Sequence, residues 1–366
     1  MRAASGILRD TVIAIAAFVI TATAVRATLW QAGLGDRSHA EVKVRLAADR
    51  AKEVVFVGSS HIDTGLHPET FDATMMRHGF KPRSFDLTTG GLGVAETRYL
   101  LDRLFSLKPC CIDYVALEFA YMQTDVAWNF GSVRSVLYFD LRRGIDFLRL
   151  IFKYNHVPNG GPKQAAAYVP NVASAMATHY TNIGLAGALL GWGAKPLPNY
   201  SEMSFGSGST MHPSMSDAVK PSFAAALAQV QLLRSKYIAG EALPPPLALG
   251  AFVTDSMLDH AIETIRITEA RGFRVVVIQP PLLGNWTFAA DFVTGFRRRC
   301  GAERLIDFGD PHEFPDLYQN FEYWHDGGHL SEKGAKVWSK MVAERFAIIA
   351  AADAAGGRTT ACPEVR

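Results

Sequence analysis

Short apolar runs alternate along this chain with longer segments whose apolar residues recur every three or four positions. Glu53–Val57 is a brief β-branched run and reads as a first strand. Pro68–His78 reads as a helix, with proline early and Gly79 just past its end. Arg83–Leu87 is a second short strand, followed by Thr88-Thr89-Gly90-Gly91. Ala95–Leu107 carries Tyr99, Leu100, Leu101, Leu104 and Phe105 at helical spacing, and Ile112–Phe119 is a third strand. The pattern resumes after residue 250. Asp255–Arg271 is a helix closed by Gly272, and Arg274–Gln279 is a buried strand stopped by Pro280-Pro281. Phe288–Arg299 is a helix, Arg304–Phe308 a fifth strand, and Ser331–Ile349 a last helix with Ser331 as N-cap. Strands that are apolar on both faces, separated by amphipathic helices, predict a three-layer α/β sandwich around a five-stranded parallel sheet.

The alternation breaks between residues 121 and 250. This stretch is Gly/Pro-rich and aromatic in places, loop-like over Ser201–Pro213, and helical over Val136–Tyr154 and Phe223–Ile238. Leu243-Pro244-Pro245-Pro246 closes it as a stiff connector. The expectation is a mostly helical insertion at the carboxyl end of strand three, the side of such a sheet where ligands bind. A lid or a partner-docking surface is its expected role. Ile183–Trp192 reads as core of the insertion, with contact to a bilayer as the other reading. The domain boundaries are then 1–35 for a targeting segment and its flank, 36–350 for the α/β domain interrupted by 121–250, and 351–366 for a tail. Residues 36–50 are polar and helix-compatible and are read as a spacer.

The targeting segment rests on Thr11–Val25, almost wholly apolar, preceded by Arg2 and Arg9 and ended by Arg26. It is shorter than the ~20 residues of a comfortable span. The reading taken is an uncleaved inner-membrane anchor lengthened by Ala27–Trp30, basic start inside, with residues after about 35 on the periplasmic side. Cleavage at Ala22-Thr23-Ala24, releasing a secreted protein, is the alternative. Composition agrees with a globular body: of 366 residues, 49% are hydrophobic and 20% charged. Lys+Arg is 37 against Asp+Glu 35, a formal charge of +2, so a nucleic-acid partner is not expected. Arg297-Arg298-Arg299 suits a helix C-terminus. The four cysteines form no zinc spacing. Isolated thiols are expected, and a bridge from Cys110 or Cys111 to Cys300 is permitted in an oxidising compartment.

Chemistry concentrates at two distant points. Gly58-Ser59-Ser60-His61 directly follows strand one, so a sharp turn would lift Ser60 above the sheet edge. Asp326-Gly327-Gly328-His329 lies just ahead of the last helix. A serine hydroxyl needs a base within hydrogen-bond reach. One turn of chain can hold Asp326 against Nδ1 of His329 and leave Nε2 facing Ser60. Backbone N–H groups would hold the oxyanion: that of Ser60, and that of Gly91 or Gly90. His61 is read as a surface turn residue or a substrate-binding one, Ser59 as the rival nucleophile, and His325 as a loop residue. His61, Asp63, His325, Asp326 and His329 also permit a metal-site reading. The serine reading uses the spacing better, so neither metal nor cofactor is expected.

These motifs resemble those of the SGNH (GDSL-like) hydrolase and acyltransferase superfamily, whose fold is flavodoxin-like. Gly58-Ser59-Ser60-His61 stands where that family has Gly-Asp-Ser-Leu. Thr89-Gly90-Gly91-Leu92-Gly93 stands for its glycine block, and Asp326–His329 for its terminal Asp-x-x-His. The resemblance covers residues 51–120 and 254–350. It departs at the third block: where the family has Gly-x-Asn-Asp, this chain has Glu118-Phe119-Ala120-Tyr121-Met122-Gln123. Gln123 or Tyr121 is the expected substitute donor, and Glu118 a structural carboxylate. The departure, the anchor and the insert resemble the membrane-tethered branch, which includes the D-alanine transfer and alginate-type O-acetylation proteins. The resemblance implies acyl transfer from a donor to a cell-surface polysaccharide or lipid-linked acceptor, beside a membrane-bound O-acyltransferase. A carbohydrate esterase of the same fold and a non-catalytic polysaccharide-binding assembly subunit are the alternatives.

Overall fold

The computed structural model describes residues 2–31, 39–49, 52–118, 139–154, 162–181, 214, 220–238, 255–283, 286–356 and 360–362. Five strands form one sheet: β1 (Val54–Val57), β2 (Ser84–Asp86), β3 (Tyr114–Glu118), β4 (Arg274–Gln279) and β5 (Leu305–Asp307). Every pairing is parallel, and the order is β2-β1-β3-β4-β5. The chain moves one place outward from β1 to β2, then returns past β1 to β3. The carboxyl ends of β1 and β3 therefore flank the switch point of the sheet, where such folds leave a crevice. Strands β1, β2, β3 and β5 are each a little shorter than the predicted runs, and β4 spans the predicted residues.

Alternation along each strand feeds two cores. Val55, Val57, Val115, Leu117, Val275 and Val277 face one, and Val54, Phe56, Ala116, Val276, Ile278 and Ile306 the other. The first is covered by α2 (His39–Asp49), α5 (Val94–Ser106), α9 (Asp255–Ala270) and α10 (Trp286–Cys300). The second is covered by α3 (Ser60–Gly65), α4 (Pro68–Arg77), α11 (Pro315–Gln319) and α12 (Glu332–Ala354). The protein is thus an α/β three-layer sandwich with the flavodoxin-like strand order.

Three helices of the interrupting region are described: α6 (Leu141–Tyr154), α7 (Pro162–Thr181) and α8 (Lys220–Ile238). Helix α6 starts later than its apolar pattern because Asp140 accepts the Arg143 amide at 2.8 Å and caps it there. Phe139, Phe147, Ile151, Val172 and Ala175 join the first core, so α6 and α7 extend the sandwich. Ile183–Trp192 and Ser201–Pro213 lie outside the described residues. Among the described residues no helix is long and apolar enough to cross a membrane. The N-terminal helix α1 (Arg2–Gln31) leaves Val12, Ile13, Ile15, Phe18, Val19 and Ile20 exposed.

Two expectations need correcting. Residues 39–49 are no spacer: α2 buries Val44 and Ala47, and with them Glu41 and Lys43. The periodicity hid this because the buried face carries two charges. The cysteines are not isolated thiols, and Cys300 does not pair with Cys110 or Cys111. Cys300 bonds Cys362, and Cys110 bonds Cys111. The tail returns over the ends of α9 and α10: the Ala361 amide donates to Glu269 of α9 at 2.6 Å, Cys362 bonds Cys300 of α10, and Ala361 and Cys362 are buried.

Helix α12 ends on a buried ionic knot at the amino edge of the sheet. Asp353 accepts from the Arg304 guanidinium, at 2.8 Å to one nitrogen, and from the Tyr114 hydroxyl at 2.7 Å. Removing one partner leaves a buried charge uncompensated, which costs about 3–5 kcal/mol. Asp353→Ala is expected to lower unfolding stability by about that amount, read from urea unfolding midpoints, because Arg304 stays buried.

Candidate active site

The site is assembled at the carboxyl edge of the sheet. After β1 the chain makes a sharp turn at Gly58. A Cβ there would lie 2.6 Å from the Glu118 Oε2 and 2.7 Å from Ile62, so no side chain fits. Glu118, at the end of neighbouring β3 and fully buried, accepts the Ser59 amide at 2.7 Å and the Ser59 hydroxyl at 2.9 and 3.0 Å. Glu118 is the structural carboxylate expected. Ser59 caps α3 and is almost fully buried, its hydroxyl spent on Glu118 and on His61 Nδ1 at 2.8 Å. That commits the Ser59 hydroxyl to the buried Glu118–His61 group. Ser60 is the first residue of α3, and its Oγ lies 2.7 Å from Nε2 of His329.

His329 sits on a tight loop ahead of α12. An antiparallel bridge between Trp324 and Leu330 closes the loop, and the His325 amide donates to the His329 carbonyl at 2.8 Å. The Leu283 amide, beyond β4, holds the Gly327 carbonyl at 3.1 Å. Within the loop, Asp326 Oδ1 accepts the Gly328 and His329 amides, both at 2.8 Å. The same carboxylate meets His329 Nδ1 at 2.8 and 2.9 Å. Burial works against the Asp326 charge. The His329 side chain and the Gly328 amide outweigh it and hold this carboxyl far below the usual range. A carboxylate that is ionised and aimed at Nδ1 fixes the proton there, which leaves Nε2 to accept from Ser60.

The glycine loop after β2 closes the third side. The Thr89 amide donates to the Gly58 carbonyl at 3.3 Å, which ties the loop to the turn that carries Ser60. A Cβ on Gly90 would sit 3.9 Å from that of Ser60, so Gly90 lies beside Ser60. Gly91 takes a φ of +62°, which glycine adopts without strain. Ser60, Asp326, His329 and Gly90 are therefore brought together, with Gly91 next in the chain. Gln123 and Tyr121 lie outside the described residues.

His61 is not a surface turn residue. It is 5% exposed, because the turn into α3 points its ring inward toward Glu118. Its ring lies parallel to that of His329, with centroids 5.1 Å apart and planes 12° apart. The alternative metal cluster is not gathered: Asp63 pairs with Lys43 at 2.7 Å, and His61 faces Glu118 at 3.1 Å. Among the described residues no group of three or more His, Cys, Asp or Glu could hold a metal ion.

Below the site lies a buried group that the sequence did not announce. Lys43, fully buried, pairs with Asp63 of α3 and donates to the Thr88 carbonyl at 3.0 Å. The Thr88 hydroxyl donates to Asp63 at 3.0 Å. Asp86, at the end of β2, is fully buried beside them. Burial pushes its carboxyl up to about 8; Lys43 opposes that rise and the charge of Asp63 adds to it. One lysine thereby fastens α3, which carries Ser60, to the start of the glycine loop.

No family model matches the chain, and no curated protein matches it.

Proposed function

We propose that this protein is an SGNH-like serine acyltransferase of the membrane-tethered kind, acting outside the cytoplasm on a cell-surface polysaccharide or lipid-linked acceptor. The observation that carries the reading is the continuous chain Ser60 Oγ–His329 Nε2 at 2.7 Å and His329 Nδ1–Asp326 at 2.8 Å. General-base transfer needs that reach. Supporting it, the Gly90–Gly91 loop lies against the nucleophile turn, and the strand order is the one these enzymes use.

In this reading Ser60 Oγ bonds to the acyl carbonyl carbon while its proton passes to His329 Nε2. Asp326 holds the imidazolium that forms. The Ser60 amide and a Gly90 or Gly91 amide stabilise the oxyanion. The carbon–leaving-group bond breaks, and the leaving group takes the proton from His329. An acceptor hydroxyl then gives its proton to His329 as its oxygen bonds to the acyl carbon; the carbon–Ser60 Oγ bond breaks and His329 returns the proton to Ser60. No cofactor enters. Water in place of the acceptor turns the same steps into an esterase, so hydrolysis is the neighbouring reading. The exposed apolar residues of α1 support attachment at a membrane surface; the inner membrane, a site on its periplasmic side and a membrane-bound O-acyltransferase as donor partner are what the family resemblance implies.

A fluorophosphonate probe tests the chemistry, because it bonds covalently to a serine activated by its base. The expected result is one adduct, mapped by mass spectrometry to Ser60. An adduct on Ser59, or none on the folded protein, would sink the assignment.

A further inference from the structure

We infer that His61 is a positioning residue for the base, holding the plane of the His329 ring. The inference rests on the Ser60–His329–Asp326 reading. Asp326 binds His329 along one edge, at Nδ1. The Cβ–Cγ bond and this edge bond hold one side of the ring, and paired changes in its side-chain torsions still tilt the plane. A tilt moves Nε2, on the far side of the ring, away from Ser60. The flat face of His61 blocks it: the two rings are parallel within 12°, with centroids 5.1 Å apart.

His61 is itself rigidly held. Its Nδ1 lies 2.8 Å from Ser59 Oγ and 3.1 Å from Glu118 Oε1. A carboxylate only accepts, so Nδ1 carries the proton and donates, while the Ser59 hydroxyl donates to Glu118. Glu118 is fully buried and is fastened by the Ser59 amide at 2.7 Å. The catalytic loop also passes close: a Cβ on Gly328 would stand 3.3 Å from His61 Nε2. Nucleophile and support are consecutive residues, so one turn of α3 sets Ser60 and the face against which the base rests. The Glu118–Ser59–His61 group thereby acquires a purpose beyond closing the turn.

Two substitutions in the full chain separate ring from hydrogen bond. His61→Asn keeps an N–H for Ser59 and Glu118 and removes the stacked face. His61→Phe keeps the face and removes the donor. Fluorophosphonate labelling is measured over a range of probe concentrations, well below each variant's melting temperature. For His61→Asn the maximal labelling rate is expected to fall about 10- to 100-fold, the effect of a misplaced group, with half-saturation little changed. His61→Phe is expected to label at least about tenfold faster than His61→Asn, despite a lower melting temperature. The low-field proton resonance of His329 Nδ1–H is read alongside. It should persist in His61→Phe and broaden or vanish in His61→Asn. Full-rate labelling by His61→Asn, or equal losses in both variants, overturns the inference. If the wild type takes no probe, the acyl-transfer reading fails on its own. The resonance still decides this point, since an unaltered signal in His61→Asn would defeat it.

Discussion

On the proposed acyl-transfer reading, replacing Asp326 by asparagine is expected to lower the acylation rate about 10⁴-fold, as loss of the orienting carboxylate does in a serine triad, while the protein stays folded. Asparagine keeps a carbonyl oxygen, which can still accept the Gly328 and His329 amides that shape the loop. What it loses is the second acceptor. With its oxygen on the amides, its NH₂ faces Nδ1, and a donor facing Nδ1 drives the ring proton to Nε2. A protonated Nε2 cannot accept from Ser60, so the base is present in the wrong tautomer. Stopped-flow labelling or turnover of an activated ester measures the rate, and circular dichroism with thermal melting checks the fold. A loss below about tenfold, well short of the expected 10⁴, would mean that Asp326 shapes the loop and does little for the base.

The second large effect is on stability. Lys43→Met leaves the Asp63 carboxylate buried without its cation, and breaking a buried pair in this way costs about 3–5 kcal/mol. Lys43→Met/Asp63→Leu removes both charges and should recover most of the loss, since an apolar pair of similar volume is about as stable as the ionic one. Urea unfolding of the two single variants and the double variant gives the coupling. Additive losses would show that Lys43 and Asp63 act separately. The same group makes stability depend on pH. The Asp86 carboxyl is raised to about 8 by burial, so the folded protein keeps a proton that the unfolded chain releases above its ordinary value near 3.8. The contribution is full below that lower value and is lost as pH rises toward about 8. Asp86→Asn should flatten this part of the stability–pH curve.

The sheet was legible because its strands are buried on both faces, and runs such as Val275-Val276-Val277-Ile278 leave no other assignment. Ser60, Asp326 and His329 were legible because a strand end and a helix start fix where each must lie. The supporting residues left no such trace. Lys43 sits in a segment with charges on its buried face, where polarity suggests solvent. His61 looked like a turn residue because stacking on a ring 268 positions away has no local pattern. Helix α7 contains Pro170, which breaks the helical signal while the backbone runs on. The pairing of Cys300 with Cys362 depends on a tail whose path no periodicity describes.

That last bond divides the site into two unlike halves. It joins residues 62 apart and closes a covalent ring that carries β5, the Asp326–His329 loop and all of α12. The Ser60 turn and the glycine loop lie outside that ring, and non-covalent contacts join them to it. Reduction therefore opens the ring that bears Asp326 and His329, whereas the half that bears Ser60 loses only the local Cys110–Cys111 bond ahead of β3.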